Sequence, residues 1–433
     1  MGRKAGFYGW KLLLVLWLIV VINFSFPIFG SGVIGAYMAA DLHFSRSTLG
    51  IAFAIFQGMT GLPGPLIAFC LNKTGVRFTM CMGTTLVVIG ALMMALFVHS
   101  SLQVDIAFGV IVGLGAMTGG PIAAQSGIER WFEKRKALAI SLMITSTGIG
   151  GFVAPPVLNR VIVLYGGNWR AGWWLVCGLS FLTTLLALFF VKEKPSDLGQ
   201  FPDGELAAPS VHGSLAAGSK VRRGVYRTAE EWSFSEIMRS STMWLMLIAL
   251  IGYSTGFSTI ISHGIVHLRD MGHTPAQAAF SFSVLALASL TGTLVVAALG
   301  DRFECRNIFA AGSLAAGAGV LVLLHATGLT GLYLYAVLFG LGYGSCMASI
   351  MTLPANYFGH KAYPAVIGLF AATGTTLGAI TVYAAGYGFD HFGGYAGVFY
   401  LIGIFCFGGS VLALFMRPPA RKGIRTLVGA AGD

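Results

Sequence analysis

Charged residues are scarce in this sequence: they make up 10% of its 433 residues, whereas 56% are hydrophobic. Soluble domains usually carry about a quarter charged residues, so a soluble fold could not cover its surface with this composition. All 16 acidic residues fall in loops or near the ends of apolar runs. The composition excludes a soluble globular protein and predicts a membrane protein whose interior is almost free of fixed charge.

Cysteine is also rare, and the sequence lacks nucleotide-binding and zinc-protease motifs. The six cysteines form no CxxC pair and no His/Cys cluster, which excludes a disulfide framework and a metal site. There is no Walker-A loop and no HExxH motif, so ATP-driven transport by this chain and zinc-dependent intramembrane proteolysis both lack their residues. We expect neither an enzyme nor a protein that needs a cofactor.

Long apolar runs take the place of charged surface. They recur between Leu12 and Phe415, and each is long enough to cross a bilayer as a helix. We count twelve such spans, with the second and third at 49–70 and 78–98. The first run is too long for a signal peptide and lacks a small-residue cleavage site, so we interpret it as the first span.

The net charge of +11 reflects membrane topology rather than a nucleic-acid partner. If both termini are cytoplasmic, 23 of the 27 Lys and Arg residues lie in cytoplasmic loops or tails. The four left on the opposite side are Arg46, Arg160, Arg170 and Arg269. This asymmetry predicts an even number of spans and cytoplasmic termini. The short tails favour a bacterial inner membrane.

The chain repeats itself. Residues 113–150 contain a glycine pair, an apolar run, a short basic turn and a second apolar run, and residues 340–378 repeat this pattern. Four landmarks recur at offsets of 226 to 229 residues, which predicts a duplication. We therefore expect an all-α membrane protein of twelve transmembrane helices in two six-helix halves. The halves are residues 1–191 and 242–433, with a cytoplasmic linker at 192–241. Residues 229–238 form either a surface helix or, as their short apolar face favours, plain linker.

This organisation resembles the major facilitator superfamily over the whole chain. Residues 131–139 (WFEKRKALA) resemble a signature of the monocarboxylate transporter and oxalate:formate antiporter families. Tyr8-Gly9-Trp10 is similar to their other signature, and residues 194–204 are similar to the sequence that follows their sixth span. The resemblance implies a transporter with a central site between two halves. It also implies a substrate-binding arginine in span 8, yet Thr293 stands near that position and no Lys or Arg occurs between Arg269 and Arg302.

Few polar groups inside the spans are candidates for substrate contacts. His263 lies on one face of span 7 and could carry a coupling proton or donate to an anion. The alternative is a histidine bonded to a neighbouring carbonyl. The resemblance makes spans 1, 4, 7 and 10 cavity-lining, although polar side chains in spans also serve as interhelical links. The candidates are Asn23, Gln125, His263, Thr293, Tyr343 and Tyr383, of which Tyr383 fits the cavity or the aromatic belt equally.

Charged turns after several spans resemble conformational latches that hold one half against the other in one access state. The alternative is plain topological signalling by positive charge. The candidate latch residues are Lys73, Arg77, Lys134, Arg135, Asp301, Arg302 and Arg306.

Three functions stay open at this stage. The first is a secondary transporter of a monocarboxylate or related organic anion, driven by proton symport or anion exchange. The second keeps the transporter and changes its cargo to a neutral or lipophilic solute, which the absence of a span-8 arginine favours. The third is a non-transporting sensor on the same fold, which the short linker argues against. We expect a monomer in a lipid bilayer with a small-molecule substrate, possible proton coupling and no nucleic-acid partner.

Overall fold

The computed structural model describes residues 7–133, 135–204, 225–228, 230–300, 302–359 and 363–419. Long helices dominate this part of the chain. They are α1 Gly9–Asp41, α2 Arg46–Gly61, α3 Gly64–Leu96, α4 Ser101–Trp131, α5 Lys136–Leu164, α6 Arg170–Phe190, α7 Ser241–Asp270, α8 Pro275–Leu299, α9 Cys305–Leu324, α10 Leu329–Phe358, α11 Tyr363–Phe392 and α12 Ala396–Phe415. In the described residues, eleven of these are long and apolar enough to span a membrane, and α2 is the short one.

The second span departs from the predicted continuous run at 49–70. Helix α2 ends at Gly61, and the chain turns at Pro63 before α3 begins. Within α3, Gly75 has φ of +84°, a conformation that breaks the helix and that glycine adopts most readily. The second span therefore consists of α2 plus the residues before Gly75, and the third begins after Gly75. Pro63 interrupts the predicted run from within, whereas the break at Gly75 falls between the predicted second and third spans.

Both ends of the membrane domain lie on one face. Tyr8, just before α1, donates from its hydroxyl to the carbonyl of Phe190 at the end of α6, over 2.8 Å. Thr242 at the start of α7 donates to the carbonyl of Arg417, just after α12, over 2.7 Å. We call this the terminus face, and we call the opposite face, which carries the α1–α2 and α7–α8 turns, the distal face.

The two ends of the segment between α6 and α7 are fixed on the terminus face. The carboxylate of Asp203 accepts hydrogen bonds from the backbone N–H groups of Glu133 (2.9 Å) and Arg135 (3.4 Å). Further along, Trp232 is buried against Phe358. A short helix, Phe234–Met238, follows with a Ser233 capping box. Ile237 of this helix is buried in the protein, whereas Phe234 is exposed.

Helices α1–α6 and α7–α12 pack against each other mainly through α1, α2 and α5 on one side and α7, α8 and α11 on the other. Glycines allow the close approach: a Cβ on Gly32 would lie 2.8 Å from the carbonyl oxygen of Ile261, and one on Gly151 would lie 2.8 Å from the Cβ of Ala286. The first turns of α1, together with α4 and α10, pack extensively only within their own group of six. The two groups are therefore joined from the distal face to the middle of the helices, and we infer that a cleft between them faces the terminus face.

Candidate functional site

A cluster of charges joins the two helix groups at the distal face. The guanidinium Nη2 of Arg46, the first residue of α2, lies 2.8 and 3.1 Å from the two carboxylate oxygens of Asp270, the last residue of α7. The carboxylate of Asp390, near the end of α11, accepts from the backbone N–H groups of Arg46 (3.0 Å) and Ser47 (2.8 Å). The N-terminus of a helix carries partial positive charge, so the first turn of α2 stabilises the negative charge of the Asp390 carboxylate. We call Arg46, Asp270 and Asp390 the distal gate.

Close backbone packing accompanies these charges. A side chain on Gly386 of α11 would overlap the backbone carbonyl of Arg46, and a Cβ on Gly50 of α2 would lie 3.1 Å from the carbonyl oxygen of Val382. The Arg46 guanidinium also lies 5.3 Å from the centre of the Phe389 ring. The distal gate can close only because neither glycine carries a side chain.

We expect the Arg46–Asp270 pair to contribute modestly to closure. The two side chains are 21% and 36% exposed, so solvent screening limits the pair to about 1 kcal/mol, or about fivefold in uptake. Arg46→Gln and Asp270→Asn should each lower initial uptake by about this factor. The double variant should be no worse than the worse single, because both substitutions remove one interaction. Arg160→Gln, an exposed arginine near the distal end of α5, serves as control. Independent, multiplicative losses would show that the pair is not coupled.

His263 lies directly beneath the distal gate and is fully buried. Its Nε2 is 3.0 Å from the carbonyl oxygen of Val382 on α11, and its Nδ1 is 3.3 Å from the hydroxyl of Tyr395. A neutral imidazole satisfies both contacts when Nε2–H donates to the carbonyl and Nδ1 accepts from the tyrosine. In this conformation His263 is bonded to a carbonyl, the alternative left open for it, and it links α7 to α11 and to the turn before α12.

Tyr343 belongs to an aromatic stack near the middle of the protein. Its ring lies 4.0 Å from that of Phe257 on α7, at an interplanar angle of 8°. Phe257 in turn meets Phe29 of α1 edge-on at 6.2 Å. The stack thus connects the two helix groups and places three aromatic rings near the middle of their helices. The hydroxyl of Tyr343 points along its own helix, 3.5 Å from the sulfur of Met347.

Asn23 lies inside the first group of six helices rather than between the groups. It occupies a wide π-helical turn, Val21–Ser25, and its amide donates to the hydroxyl of Thr183 on α6. Its Oδ1 is buried and has no hydrogen-bond partner among the described residues. Asn23 is therefore an interhelical link with one spare acceptor. Gln125 is half-buried on α4.

Tyr383 and Thr293 lie in different surroundings. Tyr383 is 43% exposed on α11, where its ring is 6.2 Å from that of Tyr387. Its backbone lies close to α2, because a Cβ on Gly50 would lie 3.4 Å from the Tyr383 Cα. The Thr293 hydroxyl donates to the carbonyl of Ser289 (3.1 Å) and lies 3.4 Å from that of Gly344. Thr293 also lines a pocket of about 270 Å³ near the terminus face.

The described latch candidates make their hydrogen bonds within one helix group. The backbone N–H of Arg77 donates to Glu193, which also binds the Arg130 guanidinium at 2.7 Å. Arg306 donates to the carbonyl of Met416 over 2.7 Å. Arg135 binds Asp203, as described above, and the Lys73 ammonium lies 5.8 Å from the Phe69 ring. Arg302 is exposed after α8, and Lys134 and Asp301 lie outside the described residues. Their latch role stays a prediction for another conformation.

Sequence reasoning placed the gate charges correctly at span ends but did not pair them. Arg46 was one of only four cations assigned to the far side, and Asp270 and Asp390 were recognised as span-end acids. That scarcity was the available signal, because an ionisable group near a bilayer interior needs a partner. Which helix ends meet across the two groups is a tertiary fact that one sequence does not contain.

Comparison with known proteins gives matches along most of the chain. A family model described as Major Facilitator Superfamily matches residues 15–370 and 264–431. Monocarboxylate transporter 13 of Bos taurus is 25% identical over 417 residues, covering 94% of this chain and 88% of the relative. The MFS transporter asaE of Aspergillus flavus is 25% identical over 426 residues, covering 93% and 87%.

Two solved structures share the fold. The nucleoside transporter NupG superimposes with a TM-score of 0.71 at 13% identity, covering 94% of this chain and 99% of that structure. A bacterial homolog of the human lysosomal transporter Spinster, in an inward-facing and unoccupied conformation, gives a TM-score of 0.63 at 17% identity, covering 96% and 95%. At these identities the likeness concerns the fold alone.

Proposed function

This chain belongs to the major facilitator superfamily, and we propose that it moves a small monocarboxylate or related organic anion by alternating access. It is an integral, multi-pass membrane transport protein similar to monocarboxylate transporters. In the proposed mechanism the two groups of six helices act as halves that pivot about a central site, with the linker and both termini in the cytoplasm. The halves then open in turn to each side of the membrane.

The observation that carries the mechanism is one-sided closure. Arg46 of one half binds Asp270 and Asp390 of the other at the distal face, and the cleft faces the terminus face. A transporter needs such a closure to be reversible, and a half-exposed ion pair supported by glycine packing is weak enough to open. With cytoplasmic termini, this is the inward-facing state.

The proposed cargo is an anion because monocarboxylate transporters are among its relatives and because the spans contain almost no acidic groups to repel one. We propose proton symport or anion exchange as the driving force, with His263 as the proton-coupling candidate. Its surroundings include Arg46 and Asp390 across the gate, Asp270 and His267 on its own helix, and Tyr395 from the α11–α12 turn. Protonation would stop Nδ1 from accepting the Tyr395 proton and so disturb the closed gate.

The test is counterflow in sealed proteoliposomes loaded with unlabelled solute. Labelled butyrate and lactate should accumulate transiently, and an inwardly directed proton gradient should increase their initial uptake under symport. Butyramide and lactamide should not be carried. If no carboxylate or amide shows counterflow, the non-transporting alternative is favoured. If only the amides move, the proposed cargo is wrong.

A neutral or lipophilic solute is the second candidate, and one observation favours it. The midline is formed by the stacked rings of Phe257 and Tyr343 with Phe29 beside them, and the described spans place no cation there. Aromatic faces bind apolar solutes well and do not require a charge. The amide arm of the counterflow experiment separates this candidate from the first.

A further inference from the structure

A pocket at the terminus face contains a cation, a kind of group that the described spans do not place at the midline. It has a volume of about 270 Å³ between the ends of α8 and α10, and the guanidinium-bearing residue Arg227 forms part of its wall. Thr293 from α8 and Thr352 and Asn356 from α10 supply polar side chains, while Val296 and Ala348 are among the apolar ones. A cation with hydroxyl and amide neighbours beside an apolar wall suits a small organic carboxylate.

The chain on both sides of Arg227 is fixed by backbone hydrogen bonds. The N–H of Tyr226 donates to the carboxylate of Glu304 over 2.5 Å, and the N–H of Thr228 donates to the carbonyl of Asn356 over 2.8 Å. The Tyr226 ring also packs edge-on against Tyr357 at 5.8 Å. Arg227 is therefore held at a defined place over the ends of α9 and α10, although it comes from the loop between the two halves.

The pocket lies in the second group of helices, next to the part of α8 that contacts the first group. On α8, Ser283 donates to the carbonyl of Phe152 on α5 over 2.5 Å, and Ala286 and Leu290 contact Gly151 and Gly148 of the same helix. Positions three and four apart share one helical face, so the stripe that faces α5 continues to Thr293. Thr293 lies roughly 9 Å inside the end of α8, given the helical rise. The pocket thus begins about one helical turn beyond the contact between Leu290 and Gly148.

We propose that Arg227 binds the carboxylate of the transported solute at this pocket, which supplies from the central loop a charge that the spans do not provide. The inference rests on the proposed function, because it assigns the anion site of that transporter. A guanidinium can hold a carboxylate by two parallel hydrogen bonds, and the apolar wall accepts the rest of the solute.

The test uses ligand-induced thermal stabilisation of the purified full-length protein. The probes are butyrate, lactate, benzoate and phenylacetate, each beside its amide. The most stabilising carboxylate should bind Arg227→Gln about 10-fold more weakly, which is the usual effect of losing a charge-assisted hydrogen bond. Arg227→Lys should bind with intermediate affinity, because lysine keeps the positive charge but cannot donate two parallel hydrogen bonds as a guanidinium can. Thr293→Arg combined with Arg227→Gln should regain affinity, because residue 293 faces the same pocket.

Arg239→Gln is the matched control, since this exposed arginine belongs to the same loop and lies outside the pocket. Each variant must have an unliganded melting temperature near that of the wild type, which separates a binding defect from misfolding. Equal carboxylate affinity of the wild type and Arg227→Gln would overturn the role of Arg227 and leave the transporter intact. If no carboxylate stabilises the wild type, both the anion cargo and this site are wrong.

Discussion

Gly386→Ala should reduce uptake by about 30-fold, because the added methyl group cannot fit when the distal gate is closed. The Cβ would overlap the backbone carbonyl of Arg46, and a backbone atom cannot rotate away as a flexible side chain can. Overpacking of this kind typically costs about 2 kcal/mol, which corresponds to about 30-fold in the population of the closed state. Initial uptake into proteoliposomes at matched protein density measures the effect.

Gly388→Ala is the control for this prediction. It is the same substitution two residues further along α11, where the new Cβ would meet only Val398, at an ordinary distance of 3.5 Å. Both changes raise helix propensity equally, so any difference between them arises from packing. Wild-type uptake by Gly386→Ala would mean that α2 and α11 do not need to approach this closely during transport.

His263→Ala should lower uptake by about 10-fold and remove its dependence on pH. The substitution leaves the Val382 carbonyl and the Tyr395 hydroxyl buried without their partner, a loss of about 1–3 kcal/mol for the closed gate. If His263 carries the coupling proton, wild-type uptake should be higher at about pH 5.5 than at about pH 7.5, because a higher proton concentration favours the protonated carrier. The residual uptake of the variant should be the same at both values.

His391→Ala controls for loss of an imidazole near the same face. His391 is exposed on α11 and stacks on Tyr387 at 3.8 Å. A variant of His263 that loses activity but keeps the wild-type pH profile would show that the residue stabilises the gate without carrying the proton. Full activity at both pH values would remove it from the mechanism altogether.

The fold could be predicted from the sequence because hydropathy and charge placement are local properties. Twelve apolar runs and the resemblance of residues 131–139 were enough to predict the superfamily that the family model confirms. The exception was within the second span, where Pro63 interrupts a run, 49–70, that looks continuous by hydropathy. The break at Gly75 falls between the predicted second and third spans. Hydropathy averages over a window and does not register a single residue that changes the backbone direction.

The site residues were harder to predict from the sequence, because their roles depend on which helices contact one another. Asn23 was a reasonable candidate by helical phase, yet its amide faces Thr183 within one group of helices. Conversely, Arg227 lies in a loop that pattern analysis treats as a linker, and only the fold brings it beside Thr293. Such pairings join residues far apart in the chain, so periodicity and spacing contain no information about them.

The most direct test of alternating access is the distance across the distal face, measured by double electron–electron resonance. Spin labels at Leu102→Cys and Phe392→Cys, both strongly exposed and in different halves, would report it in a background without the native cysteines. We predict two distance populations whose ratio shifts when a transported carboxylate is added, with Gly386→Ala depleting the shorter one. A single distance that neither the carboxylate nor Gly386→Ala changes would contradict a gate that opens and closes.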